Sequence, residues 1–239
     1  MAEFKVVEIF TSINGEGPRQ GQLALFIRMQ GCNLKCSYCD TAWANEPGVE
    51  FRLMSKEEIV GEVKRSGIRN IMLTGGEPLL CEDIGELLSA LTEDHRFRVE
   101  VETNGSVDLK PFINMTGGAS VDTESSPINT DGNNLPSFNM DYKLPGSGME
   151  QMMRMENLAL LTEKDTVKFV VSDMNDLERS RELIDEYGLT GRCRVFFSPV
   201  YGRIDPETIV DFMKKNRMND VNLQLQIHKI IWDSEMRGV

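Results

Sequence analysis

The stretch LALFIRMQGCNLKCSYCDT, residues 23–41, joins a strand-like apolar run, Leu23 to Met29, to a loop carrying Cys32, Cys36 and Cys39. A strand that ends in a loop of reactive side chains is the local plan of an α/β sheet whose functional loops sit at the strands' C-terminal ends. Upstream, Phe4 to Thr11 reads as a strand, and Gly15, Gly17 and Pro18 break it, so residues 4–29 form an extended hairpin. Downstream, Ser55 and Glu58 make a capping box that opens a helix running to about Arg65 and ending at Gly67. A buried strand, Asn70 to Leu73, follows. Helical segments are then read at Ile84 to Leu91, Met149 to Leu161, Leu177 to Glu186 and Pro206 to Lys215. Strands are read at Arg98 to Glu102, Thr166 to Val171, Arg194 to Phe197 and Val221 to Gln226. This alternation implies parallel strands with crossover helices in one α/β domain over residues 1–239. Asn114 to Pro136, rich in Ser, Thr, Asn, Asp, Gly and Pro, reads as a polar surface insertion, with an active-site lid as the other reading.

Apolar residues are 40% of the chain and charged residues 27%, the balance of an ordinary globular protein. Lys and Arg number 26 against 38 Asp and Glu, and the net charge of -12 opposes attraction to nucleic acid and anionic lipid. No basic leader is visible, and no run approaches the roughly 20 apolar residues of a membrane span. A cytoplasmic protein is expected. Five cysteines, three of them within eight residues, do not make a disulfide framework; clustered thiols in a reducing compartment bind metal or do redox chemistry.

The spacing Cys32-x3-Cys36-x2-Cys39 supplies three soft donors that suit zinc or an iron-sulfur cluster. Cys81 and Cys193 have no paired spacing and the two histidines, His95 and His228, lie far along the chain, so no fourth zinc ligand is evident. A four-iron cluster on three thiolates leaves one iron open to a ligand from outside. The triad alone leaves zinc open. Thr74-Gly75-Gly76-Glu77-Pro78 follows a strand, and its glycines permit close approach of backbone to a ligand, though the run could also be only a strand-to-helix turn.

These two motifs together resemble the radical S-adenosylmethionine superfamily. The resemblance implies a partial (β/α)6 TIM-like barrel of about six strands, a 4Fe-4S cluster on Cys32, Cys36 and Cys39, and S-adenosylmethionine on the open iron. One electron from the cluster then cleaves the cofactor to a 5'-deoxyadenosyl radical that takes hydrogen from substrate. Further segments resemble one branch, the 7-carboxy-7-deazaguanine synthases of queuosine and deazapurine biosynthesis, nearly end to end. They are Ile13-Asn14-Gly15-Glu16-Gly17-Pro18, Phe26 to Asn33, Cys39-Asp40-Thr41, Glu102-Thr103-Asn104-Gly105-Ser106, Asp141-Tyr142-Lys143-Leu144-Pro145, Ser198-Pro199 and Gln226-Ile227-His228-Lys229.

That branch converts 6-carboxy-5,6,7,8-tetrahydropterin to 7-carboxy-7-deazaguanine with loss of ammonia, a radical ring contraction by a carbon-nitrogen lyase. The resemblance places Ile13, Asn14, Gly15, Glu16, Arg28, Thr74 and His228 at the pterin, and Thr41 on a Mg ion that bridges to the substrate carboxylate. It places Tyr38, Gly75, Gly76, Glu77, Glu102, Asn104, Asp141, Tyr142, Lys143, Ser198, Pro199, Val200 and Tyr201 around S-adenosylmethionine. The chemistry is apt: Arg28 is a planar fork suited to a carboxylate, Glu16 accepts from pterin N–H groups, and one hydroxyl is a sparse Mg site completed by water and substrate. A homodimer and a flavodoxin- or ferredoxin-like electron donor are expected from the same source. Two features depart from the pattern. Asn14 stands where many relatives have Gln, and the tail Trp232 to Val239 runs past relatives whose terminal carboxylate reaches substrate, so Val239 is not assigned to the site. The rival readings are a glycyl-radical-enzyme activase with the same compact triad, and a non-catalytic iron-sulfur electron carrier.

Overall fold

The computed structural model describes residues 3–113, 135–234 and 236–239; the polar insertion read at 114–136 therefore lies almost wholly outside the described residues. One nine-stranded sheet organises the chain. Its strands are β1 (Glu3–Ile13), β2 (Leu23–Met29), β3 (Arg52–Ser55), β4 (Asn70–Gly75), β5 (Arg98–Thr103), β6 (Ser137–Tyr142), β7 (Thr166–Val171), β8 (Arg194–Pro199) and β9 (Val221–Leu223), in the order β3-β1-β2-β4-β5-β6-β7-β8-β9. β1 pairs antiparallel with β2 and β3, and every pairing from β2 onward is parallel. The fold is the α/β, partial TIM-like barrel that the motifs imply, with short β9 as a seventh parallel strand.

Crossover helices α1 (Lys56–Ser66), α2 (Ile84–Thr92), α3 (Lys110–Ile113), α4 (Glu156–Leu160), α5 (Met174–Tyr187) and α6 (Pro206–Asn216) follow successive strands, and α7 (His228–Ile231) follows β9. The start of α1 is fixed by its sequence: Glu58 N–H donates to Ser55 Oγ at 3.2 Å while Ser55 N–H donates to Glu58 Oε2 at 2.7 Å, and Gly67 takes the left-handed conformation that ends the helix. None of the helices among the described residues is long and apolar enough to cross a membrane.

The core lies between sheet and helices. Val99, Val101, Phe138, Met140, Val167, Phe169, Val195 and Phe197 face it, and Phe169 packs against the Tyr142 and Phe197 rings at centroid distances of 5.7 and 6.2 Å. The alternate residues of the same strands face a polar interior. The turn between β1 and β2 is bonded to the segment after β9, at the other side of the parallel strands: Gly17 N–H donates to Gln224 Oε1 at 2.6 Å and Ile227 N–H to Gly15 O at 3.1 Å.

Several elements differ from expectation, the short β3, α3 and α7 having no counterpart in it. Strand β6 has no counterpart among the expected strands, because its inward residues Asn139 and Asp141 are poor strand formers in isolation. Met149 to Leu161 is not one helix: a 3-10 turn, Glu150–Met152, gives way to extended backbone at Met153 before α4. There Asn157 spends its amide on the carbonyls of Gly105 and Val107 and on Leu109 N–H, tying this segment to the loop after β5. The last strand stops at Leu223; Gln224 N–H still donates to Phe197 O at 2.8 Å, while its side chain accepts from the β1–β2 turn.

Candidate active site

The cysteine loop leaves β2 at the C-terminal end of the parallel sheet, and all three thiols line a cavity of about 460 Å³ inside the barrel. The loop is held from two sides. On one, Ser37 N–H donates to Ser147 O at 3.0 Å and its hydroxyl to Gly146 O at 2.8 Å; the turn at Gly146 is in turn fixed by buried Asp176, which accepts from Gly146 N–H at 2.8 Å. On the other, Cys32 Sγ accepts from Leu34 N–H at 3.4 Å and from Asn104 Nδ2 at 3.6 Å.

Glu77 organises the neighbouring strand ends. It is wholly buried, and its carboxylate accepts from Leu79 N–H (3.1 Å), Thr103 Oγ1 (2.9 Å) and Asn104 N–H (2.6 Å), joining the turn after β4 to the turn after β5. Burial pushes its carboxyl up to about 7 against those three donors. The glycines before it are needed by the chain itself. A Cβ on Gly75 would collide with Met29 O, and one on Gly76 with Gly31 O, so both allow β4 to lie against the strand end that feeds the cysteine loop.

Deeper in the cavity the strands turn charged residues inward. Lys168 on β7 reaches Glu16 at 2.6 Å, Asp141 at 2.9 Å and Glu102 at 3.8 Å, while Lys143 reaches Asp141 at 3.1 Å. Below them Glu100 pairs with Arg19, and Asn139 Nδ2 donates to Glu100 at 3.0 Å. Burial pushes the Glu102 carboxyl up, with Lys168 opposing; burial alone would also raise Asp141, but Lys143 and Lys168 hold it below the ordinary carboxylate value. At the opposite wall Arg28 donates through Nε to Glu8 at 2.7 Å and lies 5.8 Å from the Phe10 ring and 5.7 Å from the Trp43 ring. Thr41 Oγ1 donates to Asp40 at 3.2 Å, and Lys229 reaches the same carboxylate at 3.3 Å.

Asn14 is unusual among the lining residues. It is 2% exposed, its main chain is pinned by bonds with Gln22 and Gly21, and neither atom of its side-chain amide has a hydrogen-bond partner. A buried amide left unpaired costs roughly 1–3 kcal/mol, and this one can offer a ligand both a donor and an acceptor. His228 packs on Gly15 so closely that a Cβ there would meet its ring, and burial holds its imidazole below the ordinary value of 6.5 although Glu16 opposes this.

The residues expected at the pterin, Ile13, Asn14, Gly15, Glu16, Arg28, Thr74 and His228, all line this cavity, as does Thr41. Of those expected around the cofactor, Tyr38, Gly75, Gly76, Glu102, Asn104, Asp141, Lys143, Pro199, Val200 and Tyr201 line it too. Glu77, Tyr142 and Ser198 do not. Glu77 is consumed by the turn it organises; Tyr142 points to the helix side, against Phe169; Ser198 sits beneath Glu16, donating to it at 3.3 Å. The tail left unassigned folds back over the mouth, where Met236, Arg237 and Val239 line the cavity and Arg237 lies 4.2 Å from the Trp43 ring.

Residues 26–120 match the model of the radical SAM superfamily. A 7-carboxy-7-deazaguanine synthase of Clostridium acetobutylicum is 52% identical over 99% of both chains. The chain belongs to the 7-carboxy-7-deazaguanine synthase family. Another member, from Leptospira interrogans, is 34% identical over 98% of this chain and 97% of its own. Among solved structures, QueE from Escherichia coli shares the fold with a TM-score of 0.67 at 20% identity, covering 93% of each chain. SuiB of Streptococcus suis, solved with S-adenosylmethionine, aligns with a TM-score of 0.52 at 14% identity over 81% of this chain and 44% of its own.

Enzymes of the 7-carboxy-7-deazaguanine synthase family, as radical S-adenosylmethionine proteins, carry a 4Fe-4S cluster and use S-adenosylmethionine, and the residues here fit both. Cys36 is raised by burial, opposed by Lys143, and raised again by the neighbouring Cys39 and Cys32, a crowding of thiols that cationic iron relieves. Two N–H groups already point at Cys32 sulfur, hydrogen bonds of the kind that tune a cluster's thiolates. Cys81 and Cys193 are core thiols pushed up to about 11 by burial and offer no fourth ligand. Sequence reasoning missed Lys168 and Trp43, and gave no role to Asp40 or the tail. A lysine at the centre of TVKFVV, residues 166–171, is the one signal that could have found the first of these.

Proposed function

We propose that this chain converts 6-carboxy-5,6,7,8-tetrahydropterin to 7-carboxy-7-deazaguanine with release of ammonia, at the cavity beside its cysteine triad. The observation that carries the assignment is the unpartnered, buried amide of Asn14, which stands with Glu16 and Arg28 in one cavity. A pterin edge alternates N–H donors with ring and carbonyl acceptors. The Asn14 amide can pair with both kinds, and the Glu16 carboxylate accepts from the amino and ring N–H groups. Arg28, steadied by Glu8 and flanked by the Phe10 and Trp43 rings, offers its remaining N–H groups to the substrate carboxylate. His228, seated on Gly15, is assigned a polar contact with the substrate, while Ile13, Gly15 and Thr74 shape the wall.

Cys32, Cys36 and Cys39 would hold the 4Fe-4S cluster, and together with S-adenosylmethionine it supplies one-electron cleavage of a carbon-sulfur bond and the hydrogen abstraction that follows. Tyr38, Gly75, Gly76, Glu102, Asn104, Asp141, Lys143 and Pro199 to Tyr201 are assigned to cofactor binding, with Glu77 acting behind them by fixing the turns after β4 and β5. The cavity lies within the barrel with the C-terminal tail at its mouth, which suits a small substrate better than the open groove an activase needs. Thr41, oriented by Asp40, is assigned to Mg, a hard cation that keeps waters and takes its other oxygen ligands from substrate. The chain is read as one catalytic domain that works as a cytoplasmic homodimer and receives its electron from a flavodoxin- or ferredoxin-like protein.

The test is to supply the reduced, cluster-loaded protein with S-adenosylmethionine, Mg and 6-carboxytetrahydropterin under anaerobic conditions and to look for the deazaguanine product by mass. Product formation is expected. An intact cluster that cleaves S-adenosylmethionine but yields no such product would end the substrate assignment.

A further inference from the structure

The residue proposed to read the pterin edge, Glu16, is not on a strand. It sits in the turn between β1 and β2, whose main chain is tied down through Gly17 and Gln224. Side chains on turns are placed less accurately than those on strands unless something rigid grips them. Lys168 supplies that grip. It lies mid-strand on β7, between neighbours β6 and β8, and its side chain is 8% exposed. Its ammonium meets Glu16 Oε2 at 2.6 Å, while Ser198 on β8 donates to Glu16 Oε1 at 3.3 Å. Each carboxylate oxygen thus has one donor from a rigid strand, and its remaining lone pairs are left for the cavity.

We infer that Lys168 is a positioning residue for the pterin: it sets the orientation of the Glu16 carboxylate and, through its contacts with Asp141 and Glu102, ties the substrate wall to the cofactor wall. This rests on the pterin reading given above. The choice of side chain follows from the geometry. An ammonium has three donors that turn freely, and three carboxylates from three different elements, the β1–β2 turn, β5 and β6, converge on it. Burial alone would lower its affinity for a proton, but Asp141, Glu16 and Glu102 keep it charged. Without that charge the three acids would face one another in a poorly solvated space, and Glu16 would have reason to turn away.

The experiment compares Lys168→Met, Lys168→Arg, Glu16→Gln and the double variant Lys168→Met/Glu16→Gln, each loaded with cluster and checked for cluster absorbance and cooperative unfolding. Expected for Lys168→Met is a rise of at least tenfold in KM for the pterin with kcat reduced no more than threefold, a split that a general loss of structure would not give. Lys168→Arg should keep KM within threefold of the parent. Because Lys168 acts on the pterin through Glu16, the double variant's KM for the pterin, at saturating S-adenosylmethionine, should be within twofold of that of Glu16→Gln alone. Losses that multiply in the double variant, or a Lys168→Met enzyme within twofold of the parent, overturn the inference. If Lys168→Met does not fold, the double variant, which removes one of the three acids as well, and Lys168→Arg carry the same comparison. Failure of the pterin reading is seen separately, as a parent enzyme inactive on that substrate. The positioning claim is then read without substrate, from crystal structures: a Glu16 carboxylate displaced in the Lys168→Met variant supports it, and one that stays in place refutes it.

Discussion

Strands β5 to β8 carry two faces that differ in nearly every property except burial. Toward the helices stand Val99, Val101, Phe138, Met140, Val167, Phe169, Val195 and Phe197; toward the cavity stand Glu100, Glu102, Asn139, Asp141, Lys168 and Ser198. The first set needs only shape and water exclusion, each large side chain contributing about 1.5–3 kcal/mol. The second set needs partners, because a buried charge is tolerated only when paired and hydrogen-bonded. Parallel strands covered on both sides ordinarily read as continuous apolar runs, and the alternation here marks a sheet with a reaction chamber on its inner side. Stability and chemistry are therefore assigned to opposite sides of the same backbone, and substitutions should separate them.

The sharpest break in that division is expected at Cys36. Cys36→Ala should abolish both the cluster absorbance and S-adenosylmethionine cleavage while leaving far-UV circular dichroism unchanged, and retention of either signal would refute its ligand role. On the other face, Phe169→Ala should lower the unfolding free energy by about 3–5 kcal/mol in urea titration, yet leave cluster content per folded molecule intact. An intermediate case is Glu77, which belongs to neither face. Between its ordinary 4.5 and about 7, the folded protein holds a proton that the unfolded chain has lost, so stability should fall as pH rises through that window. Glu77→Gln should flatten that slope, by about 1–3 kcal/mol across the window, measured by urea unfolding at successive pH values. The smallest change in stability should come from Asn14. Replacing its unpaired amide with Leu should stabilise the protein by about 1 kcal/mol while costing more than tenfold in kcat/KM for the pterin. Loss of both together would place Asn14 with the structural residues instead.

The apolar face was the more legible in sequence. Thr166 to Val171 and Arg194 to Phe197 announce themselves by β-branched and aromatic residues, and α1 by its capping box. The cysteine loop was equally plain, since thiol spacing is a local property. What stayed hidden depends on contacts between residues distant in sequence. Strand β6 carries Asn139 and Asp141, whose strand character comes from the partners they meet in the chamber. Glu77 stands in a motif beside the cofactor residues, and only the fold shows that its carboxylate is taken up by Thr103 and Asn104. Lys168 looks like an anomaly in an apolar strand until the β1–β2 turn brings Glu16 to it across 152 positions of chain.

The bridge between the β1–β2 turn and the segment after β9 has a consequence for the order in which the molecule comes into being. Synthesis delivers the three cysteines early, yet the residues that close the chamber, Gln224, Ile227 and the tail over its mouth, emerge much later; Gly17 and Gln224 are 207 positions apart. A growing chain thus presents its thiols before the residues that complete the chamber exist.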